Sequence, residues 1–181
     1  MIDQLGWYRF ARRCPSPFFD QRSEPKDISL LVIHNISLPP GEFGGAYIEQ
    51  LFTGQLDPKE HPFFRSIYQL RVSAHCLIRR DGEVVQFVPF TARAWHAGVS
   101  SFAGREKCND YSIGIELEGS DFVAYSDEQY QALHQLTQAI MSTYPQITLP
   151  RITGHQYIAP LRKTDPGLVF DWRRYKGALS E

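Results

Sequence analysis

The sequence has little net charge, few cysteines and no long hydrophobic run, and each absence excludes a class of protein. Its 181 residues carry 19 basic and 20 acidic side chains, a formal net charge of −1, so the composition does not indicate a nucleic-acid-binding protein. No apolar segment reaches the roughly 20 residues that a transmembrane helix needs. The first eight residues have neither the basic nor the apolar region of a signal peptide. We therefore expect a cytoplasmic protein that binds neither nucleic acid nor membrane.

The cysteines and the known zinc motifs give a second set of exclusions. Cys14, Cys76 and Cys108 are odd in number, far apart and without a CxxC pair, which excludes a zinc knuckle and a disulfide framework. There is no HExxH motif, so the protein is not a zincin-type protease. Without repeats or Ser/Gly linkers, the chain is predicted to form one domain, residues 1–181. Residues 1–27 lack any hydrophobic period and are predicted to form an irregular N-terminal arm packed on that domain.

Three local patterns predict the elements of an α/β domain. Residues 29–35 form a continuous apolar run typical of a buried strand, and His34 and Asn35 stand at its polar C-terminal end, where open α/β sheets place their sites. Residues 74–80 and 83–88 surround Asp81-Gly82, which predicts a β-hairpin. Ser126 and Gln129 form a capping box at the start of the longest predicted helix.

A further strand is predicted over residues 110–119 and contains a possible general base. Apolar and polar residues alternate there, so Glu116 and Glu118 share one face with Gly114. A carboxylate on an inner strand is a candidate proton acceptor. The periodicity does not choose between the two glutamates, and an exposed sheet face with two solvated carboxylates explains the same pattern.

A polar loop near the C-terminus supplies candidates for metal chemistry. Residues 154–167 contain His155, Lys163 and Asp165, held between prolines and glycines. With His34 they give two imidazoles and one carboxylate, which leave one position of a tetrahedral zinc ion open, as in a catalytic site. An ammonium group beside such a metal can stabilise an oxyanion. A surface loop with a solvated Lys–Asp pair is the alternative.

The sequence around the remaining histidines and Trp95 does not by itself decide whether they belong to a site. Trp95 and His96 lie among small residues, which is typical of one wall of a cleft, although Trp95 at the edge of the core explains the pattern equally well. His75 opens a predicted strand and is either another site residue or a half-buried structural histidine, of which the pattern favours the second. His61 and His134 are expected to be solvated or to flank the core.

Several longer motifs carry a resemblance to a known family. They are VIHNISLPPG at 32–41, RVSAH at 71–75, AWHAGVS at 94–100, GRE at 104–106, ND at 109–110, SIGIELEG at 112–119 and RKTDPG at 162–167. Together they make the chain similar to the AmpD family, the cytoplasmic 1,6-anhydro-N-acetylmuramoyl-L-alanine amidases of bacterial cell-wall recycling. The match runs over nearly the whole chain.

The resemblance implies a fold and a chemistry. The fold is α/β, a single domain with a mixed central β-sheet flanked by helices, as in type-2 amidases and peptidoglycan-recognition domains. The cofactor is one Zn²⁺ per chain on His34, His155 and Asp165. Glu116 is then the proton acceptor and Lys163 the group that stabilises the transition state.

The implied substrate is an anhydromuropeptide, cut between the lactyl group and L-alanine. Arg71 and Asn35 are expected to contact its peptide, and the flat indole face of Trp95 is expected to contact its sugar or its peptide. Lys107 stands where the family usually has arginine, and it lacks the fork that grips a carboxylate bidentately. We expect a monomer. An amidase of intact peptidoglycan and a non-catalytic muropeptide-binding module remain the alternatives.

Overall fold

The computed structural model describes residues 1–180, in which strands β3 and β9 are the longest of ten and are neighbours in the interior of the main sheet. The strands are β1 Arg12–Arg13, β2 Phe19–Gln21, β3 Leu30–Ile36, β4 Cys76–Ile78, β5 Val84–Gln86, β6 Ala92–Ala94, β7 Ser101–Phe102, β8 Arg105–Glu106, β9 Ser112–Glu118 and β10 Ile152–Gly154. The α-helices are α1 Tyr47–Thr53, α2 Asp127–Thr143, α3 His155–Ile158 and α4 Trp172–Ala178, with 3-10 turns at Pro62–Ser66, Cys108–Asp110 and Leu149–Arg151.

Six of the strands form one mixed sheet in the order β1-β5-β4-β9-β3-β10. The pairs β4–β9, β9–β3 and β3–β10 are parallel, whereas β4 and β5 are antiparallel. The two longest strands, β3 and β9, lie side by side in the interior of the sheet, where their apolar residues are covered on both faces. The predicted mixed α/β sheet is therefore confirmed.

Alternation along β3 and β9 gives the sheet two different faces. Leu31 and Ile33 of β3 and Ile113 and Ile115 of β9 are fully buried in the main core cluster, to which the apolar residues of α2 also belong. The intervening residues of both strands point to the opposite face, because successive strand side chains alternate. That second face carries the polar residues at the ends of both strands, including the candidate metal ligand of β3 and the candidate base of β9.

Local sequence signals correspond to observed elements. The hairpin of β4 and β5 turns at Asp81-Gly82, where Gly82 has a φ of 86°. Helix α2 begins with the predicted capping box, in which Ser126 accepts from the Gln129 N–H and Gln129 accepts from the Ser126 N–H. Helix α1 ends at Gly54, whose left-handed φ of 73° suits glycine.

The N-terminal arm is more regular than predicted. It contributes β1 to the edge of the main sheet and β2 to a two-stranded pair with β6. Arg22, 4% exposed, follows β2 and donates to the backbone carbonyls of Phe90, Asn109, Asp110 and Ser112. These contacts connect the arm to the loops that precede β9. Such long-range contacts leave no local period in the sequence, and the pattern of residues 1–27 therefore indicates no regular structure.

Candidate metal centre and active site

Three side chains from separate elements converge at the C-terminal edge of the central strands. His34 lies on β3, His155 begins α3 directly after β10, and Asp165 lies in the following loop. Strands β10 and β3 are parallel, with Gly154 opposite Ile33, so His155 emerges beside His34. Their Nδ1 atoms are 2.9 Å apart, and Asp165 Oδ2 lies 3.1 Å from the first and 3.0 Å from the second.

These three donors fit a zinc ion. Both imidazoles are buried, and burial lowers the pKa of His34 to about 4, so this ring is neutral at pH 7, as a metal ligand must be. Burial alone would raise the pKa of Asp165, but hydrogen bonds from the two imidazoles hold it below its usual value. Zinc bonds of 2.0–2.1 Å put tetrahedral ligands about 3.3 Å apart, close to the separations observed. Two imidazoles and one carboxylate leave the fourth position open.

The outer nitrogens of both imidazoles are also engaged. His155 Nε2 lies 3.1 Å from the Ala97 carbonyl oxygen, and His34 Nε2 lies 2.8 Å from Nδ1 of His96. Partners of this kind fix the tautomer and orientation of a metal-binding histidine. The Nδ1 atoms are thereby directed at each other and at Asp165.

The Glu118 carboxylate is fully occupied by hydrogen bonds that hold the fold together. Its carboxylate accepts from the backbone N–H of Gly44 at 2.6 Å and of Arg80 at 3.1 Å, and from the Arg79 guanidinium at 3.4 Å. It is 1% exposed. These contacts tie the loop before α1 to the hairpin of β4 and β5, and they occupy both oxygens of the carboxylate.

Glu116 faces the candidate metal centre instead. It is the register partner of His34 and is 9% exposed, and its Oε2 has no hydrogen-bond partner among residues 1–180. Burial, and then the Asp165 carboxylate, raise the pKa of Glu116 well above its usual value, while the charge of Lys163 opposes the rise. The structure thus gives different environments to the two glutamates that periodicity could not distinguish.

A pocket of about 410 Å³ opens over this group. Its polar side includes Glu116, Lys163 and the three converging donors. Its other side is largely apolar and comes from β3, α1 and the segment around the first 3-10 turn: Ile36, Leu38, Leu51, Phe52, Phe63, Ile67, Leu70 and Val72. Lys163 is exposed, and its side chain therefore lies at the mouth rather than in the buried base of the site.

Two of the predicted substrate-binding residues line the same pocket. Asn35 donates through Nδ2 to Asp121 and to the Tyr125 hydroxyl, so its amide carbonyl remains available to accept. The Trp95 ring stacks on Phe18 at 6.4 Å, and its indole N–H has no partner among residues 1–180. Both side chains therefore have unused polar atoms and line the pocket that contains the candidate metal centre.

The other two predicted substrate-binding residues lie outside that pocket. Arg71 is exposed, immediately before Val72, a lining residue. Lys107 is exposed and lines a second pocket of about 550 Å³ together with Gly98, Val99 and Arg162. The structure does not bring these two cations together with the donor set.

His96 is a site residue whose role the sequence left open. Its ring lies over Gly114 of β9, where an added Cβ would come within 2.5 Å of the imidazole. Its Nε2 lies 3.0 Å from Ser112 Oγ. Ser112, Gly114 and Glu116 share a face of β9, so the space at Gly114 serves the imidazole rather than the neighbouring glutamate. The two small residues Ser112 and Gly114, at alternate positions before Glu116, were the sequence signal for a bulky side chain packed on this face.

The family of the chain is shown by its similarity to known proteins. A family model described as N-acetylmuramoyl-L-alanine amidase matches residues 24–168. The 1,6-anhydro-N-acetylmuramyl-L-alanine amidase AmpD of Citrobacter freundii is 62% identical over 180 residues, which cover 99% of this chain and 96% of that protein.

Solved structures give the same result. The crystal structure of a selenomethionine AmpD derivative matches with a TM-score of 0.96 and 61% identity over 99% of both chains. Escherichia coli AmiD, solved with the substrate anhydro-N-acetylmuramic acid-L-Ala-D-γ-Glu-L-Lys, matches with a TM-score of 0.62 and 30% identity over 84% of this chain and 57% of that one. The resemblance carried by the motifs is confirmed: this chain belongs to the N-acetylmuramoyl-L-alanine amidase family, and within it to the AmpD enzymes.

Proposed function

We propose that the chain is a zinc-dependent amidase that hydrolyses the bond between the lactyl group of 1,6-anhydro-N-acetylmuramic acid and L-alanine. One observation carries the proposal: His34, His155 and Asp165 converge within about 3 Å of one another beside a buried glutamate with an unpartnered oxygen. The name and full-length similarity of the Citrobacter enzyme support the choice of bond.

His34, His155 and Asp165 would hold the zinc ion. The chemistry that a zinc ion would supply at this site is activation of a water molecule and polarisation of the scissile carbonyl. Glu116 takes the proton from the attacking water and delivers it to the departing nitrogen of L-alanine. The buried site raises the pKa of this carboxyl, which makes its ionised form a stronger base. The products are a free lactyl carboxyl group and a peptide with a free amino terminus.

Lys163 stabilises the negative charge that develops on the carbonyl oxygen. It lines the pocket with the metal ligands and is two residues before Asp165. A cation placed where charge develops acts on the transition state more than on the ground state. Its exposed position suits a group that becomes enclosed only when substrate covers the mouth.

Substrate binding is assigned to both sides of the pocket. The free carbonyl of Asn35 accepts a peptide N–H, and the unpartnered indole N–H of Trp95 donates to a substrate oxygen. Arg71 and Lys107 bind carboxylates of the stem peptide that extend beyond the pocket, since such peptides are anionic and both side chains are exposed cations. AmiD, a more distant relative, was solved with an anhydromuropeptide, which supports this class of ligand.

We also propose a monomeric, cytoplasmic enzyme. Cys14, Cys76 and Cys108 carry free thiols, which suits a reducing compartment. No helix in residues 1–180 is long and apolar enough to cross a membrane. Light scattering after size-exclusion chromatography tests the monomer, and fractionation of cells that express the native chain tests the compartment.

The first experiment is mass spectrometry of products from anhydro-N-acetylmuramoyl-tripeptide and N-acetylmuramoyl-tripeptide, supplied side by side with and without a zinc chelator. Release of tripeptide from the anhydro substrate alone, abolished by the chelator and restored by zinc, is the expected result. Equal cleavage of both sugars would instead identify an amidase of intact peptidoglycan. No cleavage by zinc-loaded protein would identify a muropeptide-binding module.

A further inference from the structure

Two consecutive residues contact the outer nitrogens of both histidine ligands. Nδ1 of His96 lies 2.8 Å from Nε2 of His34, and the carbonyl oxygen of Ala97 lies 3.1 Å from Nε2 of His155. We call residues 96–97 the bracket. Movement of this one segment would therefore change the orientation of both imidazoles together.

The hydrogen bonds have a defined direction when a metal is bound. A metal held by these residues would use the lone pair on Nδ1, so each neutral imidazole would carry its proton on Nε2 and need an acceptor there. The Ala97 carbonyl is an acceptor, and His96 accepts at Nδ1. His96 then carries its own proton on Nε2, which it donates to Ser112 Oγ at 3.0 Å. The Nε2–H group of each histidine ligand therefore faces a hydrogen-bond acceptor on residue 96 or 97.

The backbone of the bracket is fixed by one distant side chain. Asn109 Oδ1 accepts from the N–H of His96 at 3.2 Å and from the N–H of Ala97 at 2.8 Å. Asn109 is 7% exposed and is the middle residue of the second 3-10 turn. One amide oxygen therefore positions two consecutive peptide groups, 13 and 12 residues earlier in the chain. The proposed chemistry gives this motif residue no other role.

We propose that Asn109 is a positioning residue for the metal centre, acting through residues 96–97 on both histidine ligands. The inference rests on the proposed zinc site and goes beyond it, because Asn109 is neither one of the ligands nor among the residues that line the pocket. The Ala97 carbonyl also accepts from Arg162 at 2.7 Å. This second donor restrains the Ala97 carbonyl only, whereas Asn109 restrains both residues.

The alternative is a buried asparagine that only stabilises the fold. Asn109→Ala removes the acceptor, and Asn109→Asp keeps an oxygen at the same place. Thr137→Val is the matched control: Thr137 is fully buried on α2 and bonds the Tyr175 hydroxyl at 2.7 Å, within the core on the other face of the sheet. It should lower the melting temperature and leave the metal centre unchanged.

The test is the zinc dissociation constant, measured by competition with a chromophoric chelator, together with the visible spectrum of the Co²⁺-substituted protein. Asn109→Ala should weaken zinc binding by roughly 10–100-fold, the usual cost of losing an outer partner of a metal site, and should change the Co²⁺ spectrum. Asn109→Asp should bind zinc at least as tightly as wild type. Where Asn109→Ala does not fold, Asn109→Ser gives the same comparison with a shorter acceptor.

Wild-type zinc affinity in Asn109→Ala, or an equal loss in Thr137→Val at a matched melting temperature, would overturn the inference. Asp165→Ala separates that failure from failure of the proposed function. If Asp165→Ala binds zinc as tightly as wild type, the site itself is assigned wrongly. If Asp165→Ala loses zinc while Asn109→Ala does not, the site stands and only the role of Asn109 is refuted.

Discussion

His34 and Glu116 are register partners on the adjacent parallel strands β3 and β9. Adjacent strands are about 4.8 Å apart, and paired residues project to the same side of the sheet. A candidate metal ligand and the candidate base are therefore held at a fixed separation by the backbone ladder rather than by a loop. A one-residue slip of β9 would turn Glu116 into the core. The alternation that buries Ile115 and Leu117 on one face therefore also places the Glu116 side chain on the opposite face, beside His34. Rigid elements of this kind favour preorganised catalysis.

Removal of the carboxylate ligand should remove both metal and activity. Asp165→Ala leaves two imidazole donors, and we expect zinc affinity to fall by more than the roughly 10–100-fold that an outer partner contributes. Metal content after dialysis and tripeptide release are the measurements. Asp57→Ala, at an exposed loop position, is the control and should retain both. Normal turnover by a demetallated Asp165→Ala protein would refute the ligand assignment.

Lys163→Ala should separate catalysis from metal binding. The variant keeps all three ligands, so zinc content should match wild type, while kcat falls by roughly 10²–10³-fold if the ammonium group stabilises the oxyanion. Steady-state kinetics with the anhydro substrate measures the effect, with the exposed Lys59→Ala as control. A rise in KM at unchanged kcat would make Lys163 a group that binds the ground state.

Glu116→Gln should lower activity and raise stability. The folded protein raises the pKa of Glu116 above its value in the unfolded chain, so the folded state holds this proton more tightly. The resulting stabilisation is complete below the unfolded pKa and is lost as pH rises through the folded pKa. At pH 7 an ionised Glu116 carboxylate therefore lowers the free energy of unfolding of the metal-free protein, and a neutral amide at this position does not.

Thermal unfolding of the metal-free protein tests the predicted direction of this change in stability. Glu116→Gln should melt higher than wild type at pH 7, and the difference should shrink toward pH 4, while kcat of the zinc enzyme collapses. Glu118→Gln, on the same face of β9, is the matched control. It weakens charge-assisted bonds to the Gly44 and Arg80 amides and should melt lower. A lower melting point for both variants would show that burial of the Glu116 carboxylate is not unfavourable.

Much of the fold could be predicted because its signals are local. The apolar run of β3, the alternation of β9 and the Asp81-Gly82 turn each specify one element through neighbouring residues. The candidate ligands could be grouped because His34 lies near the C-terminal end of one buried strand and His155 follows another, and parallel strands bring such ends together. The motif resemblance then distinguished Glu116 from Glu118.

The parts of the fold and of the candidate site that the sequence did not predict depend on contacts between residues far apart in the chain. Asn109 contacts the backbone of the bracket, and Arg22 contacts the carbonyls of Phe90, of two residues in the second 3-10 turn and of the first residue of β9. Neither contact leaves a period or a spacing in the sequence. The helical turn that begins at His155 is only four residues long, too short for a hydrophobic period to indicate.

Gly114→Ala should damage the metal centre by steric displacement of His96. The added Cβ would lie 2.5 Å from the imidazole ring, so the ring must move from its contact with His34. We expect overpacking to cost roughly 1–3 kcal/mol of unfolding free energy. Zinc affinity should fall as well, because the outer nitrogen of His34 loses its partner.

Gly177→Ala is the matched control for this steric effect, because among residues 1–180 nothing beyond its chain neighbours and the backbone of its own helix α4 lies within 4 Å of the added Cβ. It should raise stability by roughly 0.5–1 kcal/mol and leave zinc binding unchanged. Chemical denaturation and chelator competition on both variants are the measurements. A Gly114→Ala protein that loses stability but keeps wild-type zinc affinity would show that the position of His96 does not control the ligand beside it.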